Sequence, residues 1–401
     1  MSLEQSIPAV QWLENKREDM LALLEDIVNI DSNSADKPGV SRVFRRLESF
    51  FQSQGLTVSS HFVDGVEAAI SVTANPGRGT GQPVLLMGHC DTVFPAGEAA
   101  RRPFRIENGR AYGPGVADMK SGVVMNAFII AAVAQSREPL PEVTALFTCD
   151  EEIGSPLSKD VIIPFARKAA FVFNGEPGRP SGNVVTSRKG GVFFDLEITG
   201  KAAHSGANFA EGVSAISELA NKIVALDALT DLDKGVTVNV GLVSGGLSVN
   251  TSAPSAKAGI DLRVHNHEQR EDMVGKIRCI CDRSFIRGTF SKLGIVGEFR
   301  PFVPSAQSQR LFELYRDQLS ELGHRAEQES SGGCADSGVA SSEGAITLCG
   351  TGPVGGGFHT LDEYCEVDTM VPRGQAVLAT MARLQEVDWA ATDAQSPDSL
   401  R

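Results

Sequence analysis

The chain has 401 residues, more than one ordinary hydrophobic core holds, which predicts two domains. Hydrophobic residues at 42% against 22% charged exclude intrinsic disorder and fibrous repeats. A formal net charge of -13 opposes a nucleic-acid or anionic-membrane partner, because either would repel the surface as a whole, although a local basic pocket remains compatible.

The opening residues MSLEQSIPAVQWLENKREDM lack a charged start, an apolar stretch and a cleavage site, and no apolar run is expected to span a membrane. The expected location is the cytoplasm. Seven cysteines (Cys90, Cys149, Cys279, Cys281, Cys334, Cys349, Cys365) lie scattered without a Cys-x-x-Cys pair, which predicts reduced, packed thiols. Any metal must then be held by His and carboxylates.

Leu13, Met20, Leu24 and Ile27 or Val28 follow helical spacing, predicting one amphipathic helix over Val10 to Ile30. Short apolar runs at Val84 to Met87, Val143 to Thr148 and Ala170 to Phe173 read as buried strands, with a helix over Met119 to Gln135 between two of them. Such alternation predicts an α/β domain whose mostly parallel sheet is flanked by helices. From about Gly190 the texture changes to strands at Gly191 to Thr199, Val236 to Leu242, Ala256 to Val264 and Gly294 to Phe299, with helices at Phe209 to Leu229 and Asn266 to Arg283. After Arg300 the first pattern resumes, with a helix at Gln309 to Leu322, a strand at Ala345 to Cys349 and a helix at Val371 to Leu384. Residues 1–189 and 300–401 are therefore assigned to one domain and 190–299 to an inserted α+β domain. The polar tail from Asp388 is expected to fray.

His89 and Asp91 follow the strand Val84 to Met87, at the carboxyl end where open parallel sheets place ligands. A carboxylate two residues from a ligating His suits the task of fixing its tautomer, although a hydrogen-bonded surface pair reads the same way. Asp118 ends a Gly-rich turn, Gly113-Pro114-Gly115-Val116-Ala117-Asp118, that enters an apolar helix. It could serve as a helix N-cap; a phosphate cradle fits poorly, since a glycine would be needed where this acid stands.

Asp150, Glu151 and Glu152 follow the strand Val143 to Thr148. Three adjacent acids repel one another unless they form a solvated loop or a dication sits among them, in which case one can ligate while its neighbour handles a proton. Glu176, in Asn174-Gly175-Glu176-Pro177, ends the third strand, and His359 follows Gly355-Gly356-Gly357-Phe358. An oxygen- and nitrogen-rich set without thiolates suits Zn, Co or Mn.

In order along the chain, GHCDTVFP, PFRIENGRAYGPGVADMKSG, DEEIGS, NGEP, ITGKAAHSGA and GGGFHT resemble the signatures of a metallopeptidase family. That family includes glutamate carboxypeptidase of the carboxypeptidase G type, succinyl-diaminopimelate desuccinylase, acetylornithine deacetylase and aminoacylase. The resemblance implies two divalent ions, zinc foremost: His89, Asp118 and Glu176 on one, Asp118, Glu152 and His359 on the other, with Asp118 bridging and joined to Met119 by a cis peptide. It implies Glu151 as general base toward a water bridging the metals, and Asp91 as the partner of His89. His204, in Gly200-Lys201-Ala202-Ala203-His204-Ser205-Gly206, would stabilise the oxyanion, often from a partner subunit, though a plain strand-end His reads the same way.

Asn250 and Arg263 match positions that bind the substrate carboxylate; Arg263 equally suits a structural pair with Asp261. The implied protein is a homodimer whose inserted domain serves as dimerisation or lid unit. Its substrate would be a small N-acyl amino acid or dipeptide, losing a C-terminal residue such as glutamate, with N-acyl amino acid deacylation as the alternative. Met119 and the stretch Gly333-Cys334-Ala335-Asp336 depart from the family pattern near the substrate. A serine hydrolase finds no Gly-x-Ser-x-Gly elbow, and a dead scaffold would be expected to lack Glu151 or a ligand.

Overall fold

The computed structural model describes residues 8–390, so most of the tail expected to fray lies outside the described part. Its strands, in chain order, are β1 (Val58–Val63), β2 (Val66–Ala74), β3 (Val84–His89), β4 (Arg105–Glu107), β5 (Arg110–Tyr112), β6 (Val143–Thr148), β7 (Phe171–Asn174), β8 (Val184–Arg188), β9 (Gly190–Thr199), β10 (Thr237–Gly245), β11 (Ser255–Val264), β12 (Phe290–Phe299), β13 (Gln328–Ser331), β14 (Ile346–Cys349), β15 (Gly355–Gly356) and β16 (Tyr364–Glu366). The chain divides into two compact units. One comprises the chain up to Ser187, Val303–Ser331 and the chain from Val339; the other comprises Arg188–Phe302 and Gly332–Gly338. The stretch 332–338, read from sequence with the flanking domain, thus clusters with the inserted unit.

The first unit is built on an eight-stranded sheet in the order β1-β2-β6-β3-β7-β14-β8-β13. Its centre is parallel, with β3 between β6 and β7, and β7 beside β14. Antiparallel strands extend it on both sides. β3, buried along its whole length, reads as a continuous apolar run because helices cover both faces. The helix Ser121–Gln135 is buried from Ser121 through Val133, and the helices Pro8–Glu14 and Met370–Arg383 pack against it.

That core helix corrects one expectation. The run Val116–Gln135, at 20 residues, is long and apolar enough to cross a membrane, with mean hydropathy 1.5 over an 18-residue stretch of it, but 94% of that stretch is buried inside the protein. Its apolarity reflects burial on all sides. The helix expected from Met119 begins at Ser121; Asp118 and Met119 have non-helical backbones and are joined by a cis peptide. The helix expected over Val10 to Ile30 is two, Pro8–Glu14 and Arg17–Val28, because the chain turns at Lys16, which still lets Leu13 and Met20 be fully buried.

In the second unit, an antiparallel sheet in the order β10-β11-β9-β12 carries the helices Ala215–Asp227 and His267–Asp282 on one face. β9 and β11 alternate buried and part-exposed residues, as a half-covered sheet requires. The helix expected over Phe209 to Leu229 starts at Ala215, where the Ser214 hydroxyl caps it by accepting from the Ser217 amide. Lys222, fully buried, pairs with Glu218 at 2.9 Å and donates to the carbonyls of Ile280, Cys281 and Arg283. It thereby satisfies the end of the second helix from inside the core.

Candidate metal centre

In β3, β6 and β7, His89 stands opposite Thr148 and Met87 opposite Asn174. Their carboxyl ends therefore share one edge of the sheet. The loops leaving that edge carry His89, the acids Asp150 to Glu152, and Glu176. Asp118 reaches the same place from the amino end of the helix Ser121–Gln135. Glycine permits that approach, since a Cβ at Gly122 would stand 1.8 Å from the Gly175 carbonyl oxygen. Asn126 fastens the helix by donating to the Met87 carbonyl at 2.9 Å.

His89 Nδ1 lies 3.0 Å from the Asp91 carbonyl and 3.4 Å from its carboxylate. Its tautomer-fixing contact is thus to the Asp91 backbone first, and to the side chain second. His89 Nε2 faces Asp118 Oδ1 at 3.4 Å and Glu151 Oε2 and Glu176 Oε1 at 3.8 Å. On the other side, His359 Nε2 lies 3.4 Å from Asp118 Oδ2 and 3.1 Å from Glu152 Oε2. Asp118 therefore presents one oxygen to each imidazole. Ligand atoms of His89, Asp118 and Glu152 lie within 4.8 Å of one another, as do those of His89, Glu151 and Glu176.

The three adjacent acids take different jobs. Asp150 turns into the fold, where its buried carboxylate accepts from the Leu157 amide at 2.7 Å and from the amide and hydroxyl of Ser158. Glu151 and Glu152 face the centre because Asp91 accepts both of their backbone amides, at 3.1 and 3.2 Å, and the Ser34 hydroxyl at 2.6 Å. Asp91 thus orients a histidine and two glutamates together. Sequence reading missed Glu363, a fully buried acid that accepts from the amides of Gly115, Ala117 and Asp118 at 3.2, 2.9 and 2.9 Å. The only signal was an acid placed four residues after His359.

His204 and Asn250 come together in the second unit: Ser205 N donates to the Asn250 carbonyl at 2.9 Å, and His204 bridges to Thr251. Both are exposed. His204 Nδ1 accepts from the amides of Gly206 and Ala207, each at 3.1 Å, which leaves the ring proton on Nε2 as an outward donor. Arg263 does not join them. It lies at the other end of β11, opposite Gly191, while Ser255 at the near end stands opposite Thr199. Arg263 does form the pair with Asp261, at 2.9 Å, and its Nη1 reaches Cys334 Sγ at 2.7 Å.

Positive charge is held tightly among these acids. Hydrogen bonds donated to the Asp118 and Glu152 carboxylates raise His359 to about 10. Burial opposes a charge on His89, but Glu151, Asp118 and Asp91 outweigh it and hold that imidazole well above its ordinary range. Burial pushes Glu152 up to about 7. Among the described residues, His89 Nε2 is buried without a hydrogen-bond partner, directly facing three carboxylates. A buried nitrogen left unsatisfied amid anionic oxygens fits a divalent cation.

Ligands must shed protons to bind metal, and His359 keeps its proton until about pH 10. Metal affinity is therefore expected to rise with pH up to that value and to fall toward acid, with protons released on binding at pH 7. Calorimetric titrations in buffers of differing ionisation enthalpy read that release; binding without proton release contradicts the account.

Residues 85–383 match the description of peptidase family M20/M25/M40. Carboxypeptidase G2 of Pseudomonas sp. (strain RS-16) is 28% identical over 366 residues, covering 88% of this chain and 86% of that protein. In fold, the chain is similar to an M20 family metallo-carboxypeptidase, Sso-CP2 from Sulfolobus solfataricus, with a TM-score of 0.73 and 18% identity over 90% of this chain and 98% of the other. It is also similar to an aminobenzoyl-glutamate utilization protein from Klebsiella pneumoniae, with a TM-score of 0.68 and 13% identity over 93% and 97%. With a cluster of carboxylates around the buried His89 where the parallel strands end, the chain belongs to peptidase family M20/M25/M40 and is a carboxypeptidase-like, metal-dependent hydrolase.

Proposed function

We propose that this enzyme hydrolyses an amide bond beside a free carboxylate, releasing a C-terminal amino acid such as glutamate, with two divalent ions, zinc foremost. The observation that carries the reading is Asp118, whose two oxygens face His89 and His359 separately. His89, Asp118 and Glu176 would hold one ion, and Asp118, Glu152 and His359 the other. When bound, such a pair polarises the amide carbonyl and acidifies water.

Glu151, 6% exposed and oriented by the Asp91 carboxylate on its amide, takes the proton of the attacking water and passes it to the leaving nitrogen. The Nε2–H of His204 donates to the oxygen on which negative charge develops. Arg263 grips the substrate carboxylate, for which a guanidinium offers a bidentate hold, and Asn250, which lies beside His204 and away from Arg263, reaches it together with that histidine. The resemblance to carboxypeptidases supports removal of a C-terminal residue; faster turnover of N-acetyl or N-succinyl amino acids than of dipeptides would favour the deacylase reading.

Chelation is expected to abolish turnover of dipeptides ending in glutamate, and zinc or cobalt to restore it. Glu151→Gln is expected to lower kcat by about 10²–10⁴-fold while leaving metal content unchanged. Chelator-resistant turnover, or an active Glu151→Gln enzyme, sinks the mechanism.

His204 acts from a partner subunit in this reading. The chain enters and leaves the second unit at the start of β9 and the end of β12. Arg263 shares that end of the sheet, whereas His204 lies past the other end, beyond Thr199, which stands eight residues from Gly191, or about 26 Å at about 3.3 Å each. β10 is an edge strand whose Leu242 and Val243 are exposed, as are Leu247 and Val249 beyond it and Ile216 and Val224 on the adjoining helix. An apolar, unpaired edge of this kind favours a second copy of the chain. Replacing Leu242 and Val243 with lysine is expected to give a folded monomer in sedimentation with little turnover; a fully active monomer removes the role of His204 in trans.

A further inference from the structure

The turn that carries His359 is the most exposed part of the centre. Gly357 and His359 to Asp362 face solvent, the His359 side chain is 53% exposed, and its backbone sits in the left-handed region at φ 61. Within the turn, Thr360 Oγ1 donates to the Gly357 carbonyl at 2.7 Å and accepts from the Asp362 amide at 3.2 Å. These bonds shape the turn without fastening it to the body of the unit.

One fastening comes from Glu363, buried at the end of the turn. Another comes from Arg102, whose Nη1 donates to the Leu361 carbonyl at 2.8 Å, beside the packing of Phe358 on the core and the pairing of β15 with β16. Arg102 is itself fixed. Its Nε donates to Glu98, whose second oxygen takes Arg101. Glu98 is 2% exposed and the Arg102 side chain 14%, and the guanidinium lies 4.9 Å from the centre of the Phe94 ring. The segment beneath is pinned in turn, since Asp31 accepts from the amides of Gly97 and Ala99 at 2.7 and 2.9 Å.

We propose that Arg102 is a positioning residue for His359, holding the exposed turn against a buried carboxylate so that the imidazole stays within reach of Asp118 and Glu152. The inference rests on the two-ion reading above. The planar fork of arginine suits the task because one nitrogen holds Glu98 while another holds the Leu361 carbonyl. An ammonium group is a single point and cannot occupy both places. Loosening the turn affects the ion shared with Glu152 and His359, and leaves the ion of His89 and Glu176 in place.

The test titrates metal-free protein with zinc and with cobalt, comparing wild type, Arg102→Met and Arg102→Lys, with hydrogen exchange followed at the amides of Thr360 to Glu363. Wild type is expected to bind two ions per chain. Arg102→Met is expected to keep the first at wild-type strength, to bind the second about 10–100-fold more weakly, in line with the loss of other outer supports of metal ligands, and to exchange those amides faster. Arg102→Lys, which keeps the charge opposite Glu98, is expected to show a smaller loss of the same kind, and it carries the test if Arg102→Met does not fold. Two ions bound at wild-type strength with unchanged exchange, in whichever variant folds, overturn the clamp alone. A wild-type chain that binds a single ion overturns the two-ion reading, and the clamp with it.

Discussion

Bringing Asp118, Glu151, Glu152 and Glu176 to one buried edge of a sheet is unfavourable unless positive charge sits among them. The fold around that edge answers this constraint. Two imidazoles enter from opposite sides, and both are driven toward their charged forms by the acids they meet. Asp118, with an oxygen toward each imidazole, is held well below the ordinary carboxylate range by those contacts, even though burial alone would push it up. A divalent cation would displace those protons and relieve the same repulsion more strongly.

A second set of buried acids does not face the centre and shapes it instead. Asp91, Asp150 and Glu363 each spend their oxygens on backbone amides of neighbouring loops. Irregular backbone is thereby fixed without regular structure, and its amides find the partners that burial demands. Glu363 matters most for geometry, because it grips the turn into Asp118 while sitting four residues after His359. The parallel strands set the position of His89, Glu151, Glu152 and Glu176, while this backbone support aligns the two loops that complete the set.

How much of this was legible beforehand follows from where the signal lies. β3, β6 and β7 are continuous apolar runs, so their ends, and the residues delivered there, stand out in the sequence. The helix Lys37–Ser53 was legible and was missed: Asp36 caps it, a proline stands in its first turn, and Val40, Val43, Phe44, Leu47 and Phe51 line its buried face. β1 and β2 were missed for a different reason, since β1 is a part-exposed strand with only weak alternation. The split of the opening helix at Lys16 depends on tertiary packing that spacing alone does not encode. Asp91's double duty and Glu363's grip are relations between distant segments, and nothing local in Asp362-Glu363 marks one acid as solvated and the next as fully buried. Met119 occupies a place where the family pattern prefers an acid, and here it is buried in the core against Gly88 and Gly122.

The central claim is that Asp118 stands between two divalent ions. Diffraction from crystals grown with zinc, with anomalous scattering recorded at the zinc edge, tests it most directly. Two peaks about 3.5–4 Å apart, one beside His89 and Glu176 and the other beside Glu152 and His359, are the predicted result. A single peak, or a pair in which Asp118 touches only one, would contradict it.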